Sequence, residues 1–540
     1  MIKITIFIIT LCFYGCNISS NSPKISEIET PYIQNLSISA TYLSANYYIS
    51  KGDVYTASRI LNTNTSDLQL LKLKFISNLI SGNFEYANKI SIFLSDTEKS
   101  GPAYELSKFA ISLDKNNLEY SLQIAKKIKK FLNFDNITHL IDFWLLNLKN
   151  KDKLNIINIP KEASIYKLLI LENFYAPSEL KKIADENFKS QKLSSNDLLL
   201  LAGYYFRLNN MEKFNIIIRE KLTNQFDKDF LIKYFATTKN IYNKAPDLKT
   251  ILASKIYSNV NVNNSEEYSY THIKILLEMV LYLCPDMDIA KYSLAELYYE
   301  QKSKHIALKK LNAISSQSFY YLASNLKKFS ILKSLKLDHE YKEHLYKNKK
   351  MWPNNKFIML KVADYEKSQK NYYEAIKIYK SIIKNHGDNN RILFLYASSL
   401  DKIGKWNEAK LLLMKILKKN PKDTYTLNYL AYSLALRNED LSLAQNFIKK
   451  ALSLDPNNGF FLDTLGWVEF KRKNFISAVF YLEQSVTTLP KSSEVMDHLG
   501  DCYLMLGRTN EAIYEWKKAL KYESDVTIIN FIKEKLNKYE

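Results

Sequence analysis

From residue 356 to residue 526, apolar and small side chains recur every 34 or 35 positions, and within each period they fall at helical spacing. The last copy runs Met496, Leu499, Gly500, Tyr503, Ala512, Trp516 and Ala519; the one before it runs Leu462, Leu465, Gly466, Ala478, Leu482, Ser485 and Pro490. Ala444 and Ala478 are 34 apart, as are Ala363, Ala397 and Ala431. The pattern predicts copies starting near Lys356, Asn390, Thr424, Gly459 and Ser493, with a slip of one residue at the Asn438-Glu439-Asp440 turn. Each copy reads as two helices. Small residues let them approach closely, and a larger side chain four positions later fills the gap to the neighbour.

Prolines mark the same frame. Pro353, Pro421, Pro456 and Pro490 are 68, 35 and 34 residues apart, each in a predicted link where a missing N–H and a fixed φ end a helix. Gly387 takes the place of the absent one. Upstream, Leu294, Ala295, Tyr298 and Ala307 repeat the signature and 322–355 fits as a degenerate copy, so seven copies are expected over 288–526. Residues 36–130 hold weaker ones: Ala45, Tyr48, Gly52 and Ala57, then Phe75, Gly82 and Ala87, then Phe109 and Ser121. From 131 to 287 the periodicity is helical without a frame, as in Leu198-Leu199-Leu200-Leu201-Ala202 followed by Tyr205 and Phe214, and predicts unplaced helical hairpins. At the end, Ile528, Phe531, Ile532 and Leu536 form an apolar stripe opposite Lys533, Glu534 and Lys538, which predicts a capping helix over 527–540.

The period and its small residues resemble the tetratricopeptide repeat. The resemblance implies an all-α fold, a solenoid of helical hairpins wound as a right-handed superhelix in which each repeat touches only its neighbours. Composition agrees: with Gly 11 and Pro 11 among 540 residues, both fall far below the usual shares of about 7% and 5%.

Residues 1–16 are of another kind. Lys3 precedes an apolar run from Ile4 to Phe13, the length of a secretory signal core and too short for a bilayer of about 30 Å. Gly15-Cys16 resembles the end of a bacterial lipobox, which implies lipidation of Cys16; Phe13 and Tyr14 depart from the usual Leu and small residue there. Residues 17–35 are rich in Ser and Asn, with Pro23 and Pro31, as a flexible tether is. Asn17 after the Cys matches outer-membrane retention in the best-known sorting rule. The expected location is the cell envelope, as an outer-membrane lipoprotein facing the periplasm, with a soluble periplasmic protein as the alternative. Beyond Cys12 and Cys16 only Cys284 and Cys502 remain, both expected as small buried side chains without a disulfide.

A formal charge of +20 admits nucleic acid or anionic lipid as partner. Only seven of the basic residues are Arg, the usual bidentate reader of phosphate. The expectation is therefore a solvated basic surface and no nucleic acid, with weak lipid attraction as the alternative. The charge is uneven: 451–526 carries 8 Lys/Arg against 11 Asp/Glu, or −3, and the remainder +20 − (−3) = +23. In tetratricopeptide repeats the first helix of each hairpin lines the concave face. Its fifth and ninth positions here are Asn428 and Tyr432, Asp463 and Trp467, Asp497 and Asp501. Aromatic and acidic groups in a concavity suit a protein or peptide partner, and these six are the candidate groove. The other reading packs Tyr432 and Trp467 between helices. The Lys and Asn clamp of co-chaperone grooves is missing.

No catalytic, metal or cofactor site is expected. His339 and His344 are five apart, about 140° around a helix, which does not place both on one zinc. His498, Asp501 and Cys502 share one helical turn and imitate a thiol site, but they hold repeat positions. The Ser-x-x-Lys matches at Ser324 and Ser381 lack their companion motifs. Gly404-Lys405 lacks the preceding Gly of a phosphate loop and falls in a repeat turn.

Leu427-Asn428-Tyr429-Leu430-Ala431-Tyr432-Ser433, Leu465-Gly466-Trp467 and Asp497-His498-Leu499-Gly500-Asp501 together look like the C-terminal half of exported tetratricopeptide proteins of proteobacteria, including the LbcA type of lipoprotein. That resemblance implies an outer-membrane adaptor delivering substrates to a periplasmic carboxyl-terminal processing protease. The expected function is a non-enzymatic scaffold bringing a protease or cell-wall hydrolase to its substrates; the alternative is an assembly factor for an outer-membrane or secretion complex.

Overall fold

The computed structural model describes residues 37–50, 53–61, 65–95, 99, 101–129, 135–149, 164–190, 193–222, 244–260 and 270–540. Cys16, the leader, the tether over 17–35 and Gly52 lie outside them. Among the described residues all regular structure is helical, and no helix is long and apolar enough to cross a membrane. One compact unit ends at Lys342; a second is Glu343–Glu540.

In the first unit, α1 (Ile38–Ser50) pairs with α2 (Val54–Ile60), α3 (Leu68–Ile80) with α4 (Phe84–Ser91), and α5 (Pro102–Asp114) with α6 (Leu118–Ile128). Ala45, Ala57, Phe75, Ala87 and Phe109 are buried at their crossings, and the hydroxyls of Ser112 and Ser121 meet at 2.8 Å between α5 and α6. Five further helices follow: α7 (Asp135–Lys149), α8 (Ser164–Leu171), α9 (Pro177–Lys189), α10 (Ser195–Arg207) and α11 (Met211–Ile216), the last ending in a π turn, Ile217–Lys221.

Next, the chain departs from nearest-neighbour packing. Helix α12 (Leu248–Asn259) lies against α7 and α8, and α13 (Tyr270–Leu283) lies against α3 and α5. The cause is the composition of α13, whose Ile273, Ile275, Leu276, Leu277, Met279, Val280 and Leu283 are all buried. Apolar residues take up most of its circumference, so it needs cover on most sides, and its buried Lys274 and Glu278 are met by Gln301 and Lys310. The Tyr282 ring lies 5.1 Å from that of Phe84, tilted by 43°, and its hydroxyl donates to Glu85 at 3.1 Å, while Lys249 Nζ reaches Asp114 Oδ1 at 3.0 Å. Helices α14 (Asp288–Glu300), α15 (Lys304–Asn312) and α16 (Tyr321–Ser334) complete this part, and α17 (Asp338–Met351) leads into the second unit.

That unit is a series of hairpins: α18 (Lys356–Ser368) with α19 (Tyr372–His386), α20 (Asn390–Lys402) with α21 (Trp406–Lys419), α22 (Thr424–Leu436) with α23 (Leu441–Leu454), α24 (Gly459–Lys471) with α25 (Phe475–Thr488), and α26 (Ser493–Met505) with α27 (Thr509–Tyr522). The five first helices begin at the residues from which the period was counted. Asn355, Asn389, Asp423 and Asn458 cap four of them by accepting a backbone N–H. The repeating frame rests on close approach. A Cβ on Gly466 would stand 2.6 Å from Leu482 Cγ, and one on Gly500 2.5 Å from Trp516 Nε1. Helix α28 (Val526–Tyr539) ends the chain with Ile532 and Leu536 buried. Its Ile528 and Phe531 stay exposed, so only half of the anticipated stripe packs.

The turns inside the hairpins follow one rule. The second residue after the first helix has positive φ, at Lys302, Lys336, Lys370, Gly404, Asn438, Lys473 and Gly507. Around Lys473 its own N–H reaches Phe470 O at 2.9 Å and the Asn474 N–H reaches Glu469 O at 2.9 Å, the two bonds of a Schellman closure. The one-residue slip is visible here: between α22 and α23 an extra residue is accommodated by a second positive φ, at Asp440. Lysine is a poor occupant of this conformation. Lys473→Gly is therefore expected to stabilise the unit by about 1 kcal/mol, read as a higher urea midpoint; an unchanged or lower midpoint would sink the idea.

Candidate partner groove

Helices α22, α24 and α26 carry the six candidate residues, of which Asp463 and Trp467 are buried at 7% and 8% exposure and so pack between helices. Tyr432 donates its hydroxyl to Glu494 on α26, two hairpins on. Asp463 accepts from His498 Nδ1 at 2.9 Å, joining α24 to α26. Trp467 is stacked on His498 (ring centroids 4.0 Å, planes 17° apart) and on Phe470 (4.7 Å, 6°), with Lys471 Nζ 4.8 Å above the ring. Asn428 is half-buried on α22, and its side-chain oxygen, like Trp467 Nε1, has no hydrogen-bond partner.

At the other end, Lys535 of α28 bridges Asp497 at 2.8 Å and Asp501 at 2.6 Å, and Asp501 also accepts from Trp516 Nε1 at 3.2 Å. The net charge of −3 counted over 451–526 stopped short of this lysine. Its ammonium neutralises part of the acidic set, so the aspartates are polar joints between helices as well as surface groups. A cavity of about 350 Å³ adjoins them, lined by Phe470, Leu504, Met505, Trp516, Phe531 and Tyr539 among others.

Burial and charge set the protonation of the group. Burial alone would depress the His498 imidazole; the Asp463 carboxylate, with Glu494 and Asp497 behind it, outweighs that and holds it up to about 8. Burial and neighbouring Asp501 push Asp497 above the usual carboxylate range, against the pull of Lys535. Burial and the Glu494 carboxylate keep the Tyr432 phenol protonated.

His498, Glu494 and Lys535 are not among the six groove candidates; the sequence offers His498 only as part of an apparent thiol site with Asp501 and Cys502. His498 stands one position after a groove position, and Lys535 belongs to the terminal helix. Only a spacing of 34 between Asp501 and Lys535 pointed to their meeting.

The thiol of Cys502 is buried and pushed far up by desolvation and by Asp501 and Asp463, so it is a protonated core side chain and no nucleophile. Cys284 and Cys502 are both free thiols. Among the described residues no group of three His, Cys, Asp or Glu side chains is placed to hold a metal.

A tetratricopeptide repeat model matches residues 391–423, a stretch covering α20 from its second residue and all of α21. A TPR repeat-containing protein of Pseudomonas aeruginosa is 25% identical over 218 residues, 40% of this chain and 36% of that protein. Another, of Methanocaldococcus jannaschii, is 31% identical over 121 residues, 22% of this chain and 20% of that protein. The chain thus spans about a third and a fifth of the length of these curated relatives. Among solved structures, a tetratricopeptide repeat protein of Parabacteroides merdae aligns at a TM-score of 0.41 with 14% identity, over 46% of this chain and 97% of that one. A thermophilic TPR protein of Thermus thermophilus aligns at 0.31 with 19% identity, over 34% and 98%. Residues 391–423 thus match a tetratricopeptide repeat, and the helical hairpin that carries the match recurs on either side of it.

Proposed function

We propose that the protein is a non-catalytic scaffold of the bacterial cell envelope, an adaptor that brings a periplasmic processing protease or a cell-wall hydrolase to its substrates. Tetratricopeptide repeat proteins bind protein partners, and the row of polar and aromatic side chains from Asn428 to Asp501 on successive first helices carries the reading here. The leader-like residues 1–16 and the lipobox-like Gly15-Cys16 support placement at the membrane through a lipid on Cys16. Palmitate labelling that disappears in Cys16→Ser supports this tether; retained labelling removes it.

The groove is tested with side chains whose loss leaves no buried charge behind. Alanine at Asp463 would strand buried His498, whereas Asn428 is half-buried and Glu494 exposed. In affinity capture from detergent-solubilised envelopes, the Asn428→Ala, Glu494→Ala double variant is expected to retain less than about a tenth of the partner while keeping its helical circular dichroism. Equal capture by variant and parent removes the groove assignment. A protease or hydrolase in the captured fraction fits an adaptor, and a stoichiometric multi-subunit complex fits an assembly factor instead.

A further inference from the structure

One edge of the second unit combines positive charge with exposed apolar groups, and this pairing is independent of the groove. The five links from a second helix to the next first helix are only three or four residues long; four of them, at 352–355, 387–389, 420–423 and 455–458, have basic flanks, and the fifth, at 489–492, is flanked by one Lys against two Glu over 483–494. The ends of the second helices and the beginnings of the first helices therefore share one edge. The segments 346–357, 380–391, 415–425 and 449–460 flank these links and carry 13 Lys or Arg against three Asp.

All three acids are already engaged: Asp388 with Lys415 and Lys419 at 2.6 and 2.9 Å, Asp423 as the cap of Thr426 N–H at 3.0 Å, and Asp455 with Asn458 at 2.9 Å. Lysines in the last turn of a helix complement its dipole, which accounts for some of the charge. It does not account for the side chains beside it. Phe357, Tyr425 and Phe460, each the second residue of its first helix, are 60%, 64% and 50% exposed, and Met351 and Leu454 are exposed on the same edge.

We infer that this edge docks on an anionic lipid bilayer. Lysines on flexible stems are attracted to the negative surface, while aromatic and aliphatic side chains enter the headgroup boundary. Just one of the 13 basic residues, Arg391, is an arginine, which favours diffuse attraction to headgroups over bidentate reading of a nucleic-acid phosphate. The exposed residues are also of the kind enriched at membrane interfaces. Docking here would leave the six groove residues, four on later turns of α22 and α24 and two on α26, to other partners.

The test is flotation of the full chain carrying Cys16→Ser, so that no acyl group contributes, with vesicles of phosphatidylcholine alone or with about one third phosphatidylglycerol. Binding is expected to be about tenfold stronger to the anionic vesicles at low salt and to fall away at high salt. The Lys350→Glu, Lys384→Glu, Lys418→Glu variant is expected to lose that preference, and Phe357→Ser, Tyr425→Ser, Phe460→Ser to lose about tenfold in binding while keeping its helical circular dichroism. Equal binding to both vesicles, retention of the preference by the Lys variant, or tighter binding to a single-stranded oligonucleotide than to the anionic vesicles would overturn the assignment. None of these outcomes depends on whether a protein partner is captured.

Discussion

Trp516→Ala is expected to destabilise the last hairpin by about 3–5 kcal/mol. Trp516 is the largest fully buried side chain of the described residues, packed on Gly500 and donating Nε1 to Asp501. Truncation would open a cavity and leave Asp501 without one of its donors. The contact with Gly500 gives the prediction a second edge. A Cβ at Gly500 would meet Nε1 at 2.5 Å, Cδ1 at 2.6 Å and Cε2 at 3.0 Å, all atoms of the five-membered ring. Gly500→Ala is accordingly expected to cost about 1–3 kcal/mol in the parent and clearly less in a Trp516→Phe background, where that ring is gone. Hydrogen exchange of Ser493–Met505 and Thr509–Tyr522 reads the effect by helix, since hairpin arrays open locally. Strict additivity of the two substitutions would show that the glycine is not there for the tryptophan.

The second large effect is a pH dependence centred on His498. Its folded value of about 8 lies above the ordinary 6.5, so the folded state favours the protonated ring. The resulting stabilisation is complete below pH 6.5 and is lost as the pH rises through 8, amounting to about 2 kcal/mol. Lys367 opposes it above that pH: burial holds its amine down to about 8, so its contribution grows as the pH rises further. The decisive measurement is therefore the difference between parent and His498→Gln in urea midpoints at pH 6 and pH 9. The parent should lose more on going up, and Asp463→Asn should bring the His498 titration, followed by NMR, below its ordinary value. Parallel midpoints in parent and variant would remove His498 as the titrating group.

The hairpin frame was legible because packing repeats. Gly466 and Gly500 stand where two helices nearly touch, and any period built on such contacts must return the same small residue at the same place. The helix starts from Lys356 to Ser493 followed from it, and even the slip at Asn438-Glu439-Asp440 has a backbone cause, an extra residue with positive φ at Asp440. The stretch from 131 to 287 was less legible, because α13 is buried on nearly all sides, its one polar strip of Lys274 and Glu278 included, so no solvent face marks its register. Its burial against α3 and α5 comes from segments nearly 200 positions upstream.

The first-helix positions of the six candidate residues were legible, and their contacts were not. Repeat spacing brought Asn428, Tyr432, Asp463, Trp467, Asp497 and Asp501 onto successive first helices. It gave no indication that His498 would hold Asp463 and Trp467, or that Lys535 would settle on both terminal aspartates. By itself the sequence determined the helical class, the 34-residue frame and the residues at each crossing, because these are local periodicities that one helix imposes on the next. Only the tertiary structure decided which polar side chains pair, since hydrogen bonds and ion pairs depend on the angle and distance between helices, which a linear spacing does not contain.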